Sequence, residues 1–248
     1  TFDIADKNVM IPNQEWFEPS WSPAAKNFDV YFTKTRFADE IFSKMGKTHF
    51  IGFTSEDRYD PTIKKDQFHC IHVAGKSIQK QTEVIIRAWT NNPGFPHLTI
   101  VQDQKFWKPR TLVRNINFMI DRVPDDVLKV MQNANVIHVC PSETEGFGHY
   151  IVEAMSAKSV VITTDGAPMN ELVNEDRGIL IPSSRKVPMN LSIRHIVDEK
   201  SIEDGVIKAM VMDESKRADI GNAAREFYLK SDADFKVKLR EAVASVLS

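Results

Sequence analysis

The sequence predicts an α/β protein built on a doubly wound parallel sheet, and three observations lead there. From Phe68 onward, short Val/Ile-rich runs alternate with longer helical patterns, the mark of stacked βαβ units. The runs HVAG, VIHV and VVIT are continuously apolar, as strands covered by helices on both faces must be. The 248 residues are 42% apolar and 27% charged, enough core for one large α/β domain or two small ones, and unlike a disordered, collagen-like or coiled-coil chain.

Taken in order, residues 1 to about 62 carry Pro12, Pro19, Pro23, Trp16 and Trp21, with two weak strand runs, DVYFTK and THFIGF. Between these lies the helical stretch TRFADEIFSKMG, closed by Gly46 as a C-cap. This reads as the last βαβ of a preceding lobe, too short to be a domain by itself. The polar connector EDRYDPTIKKD, at 56–66, divides a partial N-terminal lobe (1–62) from a second lobe (63–248). In the second lobe strands are expected at about 68–74, 97–102, 115–120, 136–140, 159–164 and 178–182. Helices are expected near 80–91, 124–134, 148–158 and 167–173, one opened by Pro124-Asp125-Asp126, and further helices at 201–211, 215–230 and 232–247. That is a Rossmann-like order, and ligands of such sheets bind beyond the carboxyl ends of the strands, so the loops after residues 75, 102, 120, 140 and 164 are the places to search.

Composition removes several function classes. Lys and Arg number 32 against 34 Asp and Glu, so no bulk basic field holds nucleic acid by its phosphates. Cys70 and Cys140 both lie in apolar runs, which supports neither a disulfide framework nor a four-ligand zinc site and fits a reducing, cytoplasmic setting. No apolar run approaches the roughly 18 residues of a membrane helix. The chain starts at Thr1 without Met or a secretory leader, which points to a fragment or a processed product.

The most informative stretch is Ser142-Glu143-Thr144-Glu145-Gly146-Phe147-Gly148-His149-Tyr150-Ile151-Val152-Glu153. It follows a buried strand and opens a helix. Gly146 and Gly148 allow close backbone approach, and the free amides at the helix start favour an anion such as a diphosphate. Glu145 and Glu153 stand eight positions apart, so both carboxylates can face one hollow at different depths; the competing reading is an ordinary glycine turn with a solvated Glu. At Gly75-Lys76-Ser77-Ile78-Gln79-Lys80, two cations four apart at a strand-to-helix loop can clamp a diphosphate. The GKS tripeptide there is no P-loop, because Cys70 stands where that motif needs Gly. The loop Thr164 to Glu171 follows the next strand, with Glu171 either touching a ligand or capping a helix. His69, His72 and His138 fall in strands and read as packed groups rather than catalysts. Trp16, Trp21, Phe17 and Phe28 either line an acceptor cleft or pack a lobe.

The stretch EGFGHYIVEAMSAKSVVITTDGAP resembles the E-x7-E signature of the retaining glycosyltransferases of family 4, which have the two-lobed GT-B fold. It departs in carrying His149-Tyr150 where Leu-Pro is usual and Lys158 where Gly is usual. The resemblance covers about 66–230 well and 1–65 loosely. It implies that Glu153 holds the ribose hydroxyls of a nucleotide and Glu145 contacts the donor sugar near its reacting carbon. Backbone amides around Gly146, Phe147 and Gly148 then hold sugar or phosphate. Lys80 matches a family lysine and Lys76 stands in for an arginine, a point charge replacing a fork. Gly75 belongs to the same donor site, Arg122 marks the loop that stacks on the base, and Glu171 ends a donor-lining turn. The implied donor is a nucleoside diphosphate sugar, with no metal or cofactor, and the implied acceptor is a carbohydrate, a lipid-linked group or a protein. Peripheral membrane association or a homo-oligomer is compatible with that. Rival readings are a non-catalytic nucleotide-sugar-binding module and a GT-B-like sugar-nucleotide epimerase or hydrolase.

Overall fold

A computed structural model describes residues 4–108 and 113–248; Thr1, on which the expectation of a processed start rests, lies outside them. The larger sheet has six strands: β4 (Asp66–Gly75), β5 (His97–Gln102), β6 (Ile116–Met119), β7 (Asn135–Cys140), β8 (Val160–Thr164) and β9 (Ile179–Ile181). They lie in the order β6-β5-β4-β7-β8-β9, and every neighbouring pair is parallel. The winding therefore reverses between β4 and β7, which opens a crevice beyond their carboxyl ends. Each of these strands lies within two residues of its expected limits, because parallel strands buried on both faces carry unbroken apolar runs.

Helices α3 (Thr82–Asn91) and α7 (Glu199–Met210) cover one face, where Trp89, Ile85 and Ile202 are fully buried. On the other face lie α4 (Asp125–Ala134), α5 (His149–Ser156) and the short α6 (Met169–Leu172), with Ile151, Met155 and Met169 in a second core. Trp89 is tied down as well as packed, since its indole N–H donates to the Pro96 carbonyl at 2.8 Å; burying such a side chain contributes on the order of 3 kcal/mol.

A smaller parallel sheet precedes the connector: β1 (Val9–Met10), β2 (Val30–Thr33) and β3 (Thr48–Phe50), in that order. Ser22–Ala25 forms α1 and Arg36–Phe42 forms α2. Thr35 caps α2, its hydroxyl accepting the Ala38 N–H at 3.0 Å. Phe17 is buried beside Phe42 and Tyr31, while Trp16 and Trp21 are largely exposed.

Two features differ from expectation. The helices expected at 215–230 and 232–247 are one helix, α8 (Glu214–Leu247), 34 residues long and therefore about 51 Å at 1.5 Å per residue. Ser231-Asp232 resembles a helix start, but the Asp232 carboxylate takes Lys236 one turn on at 2.6 Å and the Thr54 hydroxyl at 2.9 Å, so the helix runs through. A hairpin, β10 (Arg185–Met189) and β11 (Ser192–Ile196), was not expected. Its turn places Asn190 at φ 50°, a backbone state Asn tolerates, but Leu191 stands where the usual signal has Gly.

Candidate functional site

At the crevice between β4 and β7 the structure brings together a cation from one loop and an acid from the other. Lys80 closes the short turn after β4 and forms an ion pair with Glu145, from the loop after β7. The two side chains are only 13% and 15% exposed. The Lys80 ammonium also lies 3.4 Å from the centre of the Tyr150 ring, a cation–π placement that fixes its height over the first turn of α5. Ser142 completes the set, its hydroxyl donating to Glu145 Oε1 at 2.5 Å and meeting the Tyr150 hydroxyl at 2.6 Å. Ion pair, ring and hydroxyl thus hold each other in place at one end of the sheet.

The glycines shape the space beside them. Gly148 has φ 114° and is the N-cap of α5 with no side chain capping it, so the first amides of that helix have no side-chain acceptor in front of them. A side chain at Gly148 would collide with Leu172, and one at Gly146 with the Asn13 amide. Phe147 is buried between them, edge-on to Phe53 at 5.4 Å. Gly75, at φ 54°, ends β4 and turns the chain outward. Lys76 consequently stands 84% exposed and leans toward Asp103 at 3.9 Å; the expected two-lysine clamp is represented in this arrangement by Lys80 alone.

Glu153 projects from α5 toward α4, where its carboxylate accepts the Gln132 amide at 2.9 Å. Burial raises its pKa, and Gln132 and the charge of Arg58 oppose that. Glu145 and Glu153 thus have different hydrogen-bond partners, yet both, with Lys80, act on the Cys140 thiol at the end of β7, which burial already pushes up. Arg122 is exposed on the loop after β6. Glu171 does something the sequence did not disclose: its two carboxylate oxygens accept the Arg36 and Phe37 N–H groups, each at 2.7 Å, at the start of α2. It caps a helix of the smaller sheet rather than its own, and burial raises its pKa.

The remaining neighbours come from segments that gave no signal. Gln14 donates its side-chain amide to the Glu145 carbonyl at 2.7 Å. Glu15 is 3% exposed, its carboxyl pushed up by burial and pulled down by Lys34 and the Gly146 N–H. Burial in turn lowers Lys34, against the pull of Glu15 and Glu145. The β10–β11 hairpin braces the same loop: Arg194 pairs with Glu143 at 2.6 Å, Thr144 bonds Ser192 at 2.8 Å, and the Asn190 side chain donates to the Glu15 carbonyl at 2.7 Å. Among the described residues, no group of three or more His, Cys, Asp or Glu side chains is arranged to hold a metal, and no helix is long and apolar enough to cross a membrane.

The sequence profile of the glycosyl transferases group 1 family matches residues 53–227, well over half of the chain. The chain belongs to that family. Solved GT-B structures agree in fold. The pneumococcal O-GlcNAc transferase GtfA, in complex with UDP and GlcNAc, superposes with a TM-score of 0.69 at 16% identity, over 92% of this chain and 47% of its own. Anabaena HepE, in complex with UDP-glucose, gives 0.69 at 16% identity over 95% of this chain and 71% of its own. Sucrose-phosphate synthase from Thermosynechococcus elongatus gives 0.70 at 16%, over 95% and 64%. The chain thus spans about half the length of GtfA. Comparison with curated protein sequences gave no match. In this member of the group 1 family the loop that carries Glu145, the first acid of the E-x7-E spacing, is the one that Lys80, Gln14 and the hairpin hold in place.

Proposed function

We propose that the protein is a retaining glycosyltransferase resembling family 4, moving a sugar from a nucleoside diphosphate sugar to an acceptor hydroxyl. The observation that carries this reading is the Lys80–Glu145 pair set over Tyr150 at the open N-terminus of α5, in the crevice where the sheet reverses. The donor's diphosphate takes the place of Glu145 as partner of Lys80 and meets the uncapped amides after Gly148. Glu145, released, accepts hydroxyls of the donor sugar, Glu153 holds the ribose, and backbone near Arg122 meets the base. Lys76, Gly75 and Glu171 are assigned to the rim of the same donor site.

Transfer breaks the bond between the anomeric carbon and the diphosphate oxygen and forms one from the acceptor oxygen to the same carbon on the same face. The acceptor proton goes to the departing diphosphate. No protein nucleophile and no resident cofactor is needed; the chain supplies placement and charge. Preorganised donors aimed at developing negative charge are worth about 3 kcal/mol each, and Lys80 is such a donor. The acceptor meets the donor from the side of the smaller sheet, past Glu15 and Lys34.

Incubating the protein with UDP- and GDP-sugars, with and without carbohydrate acceptors, tests the assignment. Donor consumption that depends on acceptor and gives a product of unchanged anomeric configuration supports it. Consumption without acceptor favours a hydrolase or epimerase, and an inverted product removes the retaining mechanism. Because the chain spans about half of GtfA, a nucleotide-sugar-binding module is the second reading; it predicts nucleotide binding with no turnover of any donor.

A further inference from the structure

At the opposite end of the six-stranded sheet, where β4, β7 and β8 begin, four cations surround a hollow of about 250 Å³: Lys64, Lys65, Lys158 and Arg217, with Glu214 the one acid on its wall. Among the described residues no ion pair joins any of the four to a carboxylate. Two of them are built in rather than draped on the surface. Lys65 donates to the Asn133 carbonyl at 3.1 Å and the Ser159 hydroxyl at 3.0 Å, which leaves one ammonium proton without a protein acceptor. Arg217 is buried and held by the Met212 carbonyl at 2.8 Å and Gln67 at 3.2 Å, neutral partners that leave its charge unbalanced.

Lys158 supplies a further part of the wall. Its φ of 57° is the left-handed position that ends α5, with the Lys158 N–H on the Met155 carbonyl and the Ser159 N–H on the Ala154 carbonyl, and its own carbonyl lies so close to Gly221 of α8 that a Cβ there would approach within 2.3 Å. Burial first, and then the neighbouring Lys158 ammonium, hold the Lys65 pKa down at about 8, so its charged form carries a cost. An anion removes that cost.

We propose that this hollow is a second ligand site, for a phosphate group, carried by a free phosphorylated metabolite or by a lipid headgroup. It faces away from the β4–β7 crevice and does not depend on the glycosyl-transfer reading. Arg217 comes from the first turn of α8, whose N-terminus is capped by Asp213 accepting the Lys216 N–H at 2.7 Å, so the cations alone supply the attraction for the phosphate.

The test titrates the whole chain with inorganic phosphate by calorimetry, and separately sediments it with phosphatidylcholine vesicles that contain phosphatidylglycerol. Lys158→Gly suits the backbone and keeps the fold; Lys64→Gln with Lys158→Gly removes half of the cationic wall. Affinity for phosphate, or binding to the anionic vesicles, is expected to fall at least tenfold in the double variant, while UDP binding stays as in the wild type. Loss of phosphate binding identifies a free metabolite as the source, and loss of vesicle binding alone identifies the headgroup. Equal binding by wild type and double variant, or no binding of either probe to the wild type, overturns the proposal.

Discussion

Replacing Lys80 by alanine removes the ammonium that rests on the Tyr150 ring and pairs with Glu145. Sugar transfer is expected to drop about a hundredfold or more, the loss that follows from removing one preorganised donor, and Glu145→Ala is expected to do the same, with melting temperature little changed in both. Normal turnover in either variant, measured by donor consumption, contradicts the site. Glu153→Ala is expected to weaken nucleotide binding roughly 10- to 100-fold by calorimetry, the range for a lost hydrogen bond to a charged group; an unchanged Kd removes it from the ribose. His72 and His138 are buried and neutral. His72 donates from Nδ1 to the Val139 carbonyl at 2.7 Å, and His138 from Nε2 to Gln132 O at 2.9 Å. Burial lowers them to about 4 and about 3. Since these values lie below the ordinary 6.5, the stability tied to neutral imidazole is present above pH 6.5 and is lost as pH falls toward 4 and 3, at up to about 1.4 kcal/mol per unit for each ring. Glu15, Glu153 and Glu171, raised by burial, act in the opposite sense: each adds stability as pH falls through its raised value toward the ordinary carboxylate range, a window that overlaps that of the histidines. Imidazole resonances of both rings are expected to stay those of the neutral form at pH 5.5; a ring that titrates near 6.5 contradicts the burial argument.

Among the elements, α8 links the two sheets. Ala224 and Tyr228 lie in the core beside α5, and Phe235, Leu239, Ala242 and Val246 pack on Val30, Phe32 and Ile51 of the smaller sheet. Gly221 is where this helix crosses the Lys158 carbonyl. Gly221→Ala is expected to lower stability by about 1–3 kcal/mol in urea unfolding, and a wild-type midpoint contradicts this seating of the helix. The parallel strands were legible because burial on both faces demands unbroken Val and Ile, as in Val160-Val161-Ile162. The loop carrying Glu145 was legible because glycines at a strand-to-helix turn have few other uses. The β10–β11 hairpin was not, since Arg185 to Met189 alternates weakly and its turn lacks glycine. Nor were Asn13, Gln14 and Glu15 or the cross-sheet cap by Glu171, because these contacts span more than 130 residues and leave no local pattern.

For the whole molecule, the β4–β7 crevice, where we place the donor, is bordered by residues of the smaller sheet's lobe as well as by the larger sheet. Gln14 reaches the Glu145 carbonyl, Glu171 caps α2, and the Thr54 hydroxyl reaches Asp232 of α8. A nucleoside diphosphate bound there touches loops after β4 and β7 that are far apart in sequence, and it should quiet both together while the opposite end of the sheet is untouched. Hydrogen exchange with and without UDP or GDP reads this directly, because bound ligand slows local opening. The account predicts slowed exchange in the segments 75–81 and 142–153. Exchange that is unaltered in both, or slowed only around 64–67 and 158, contradicts it.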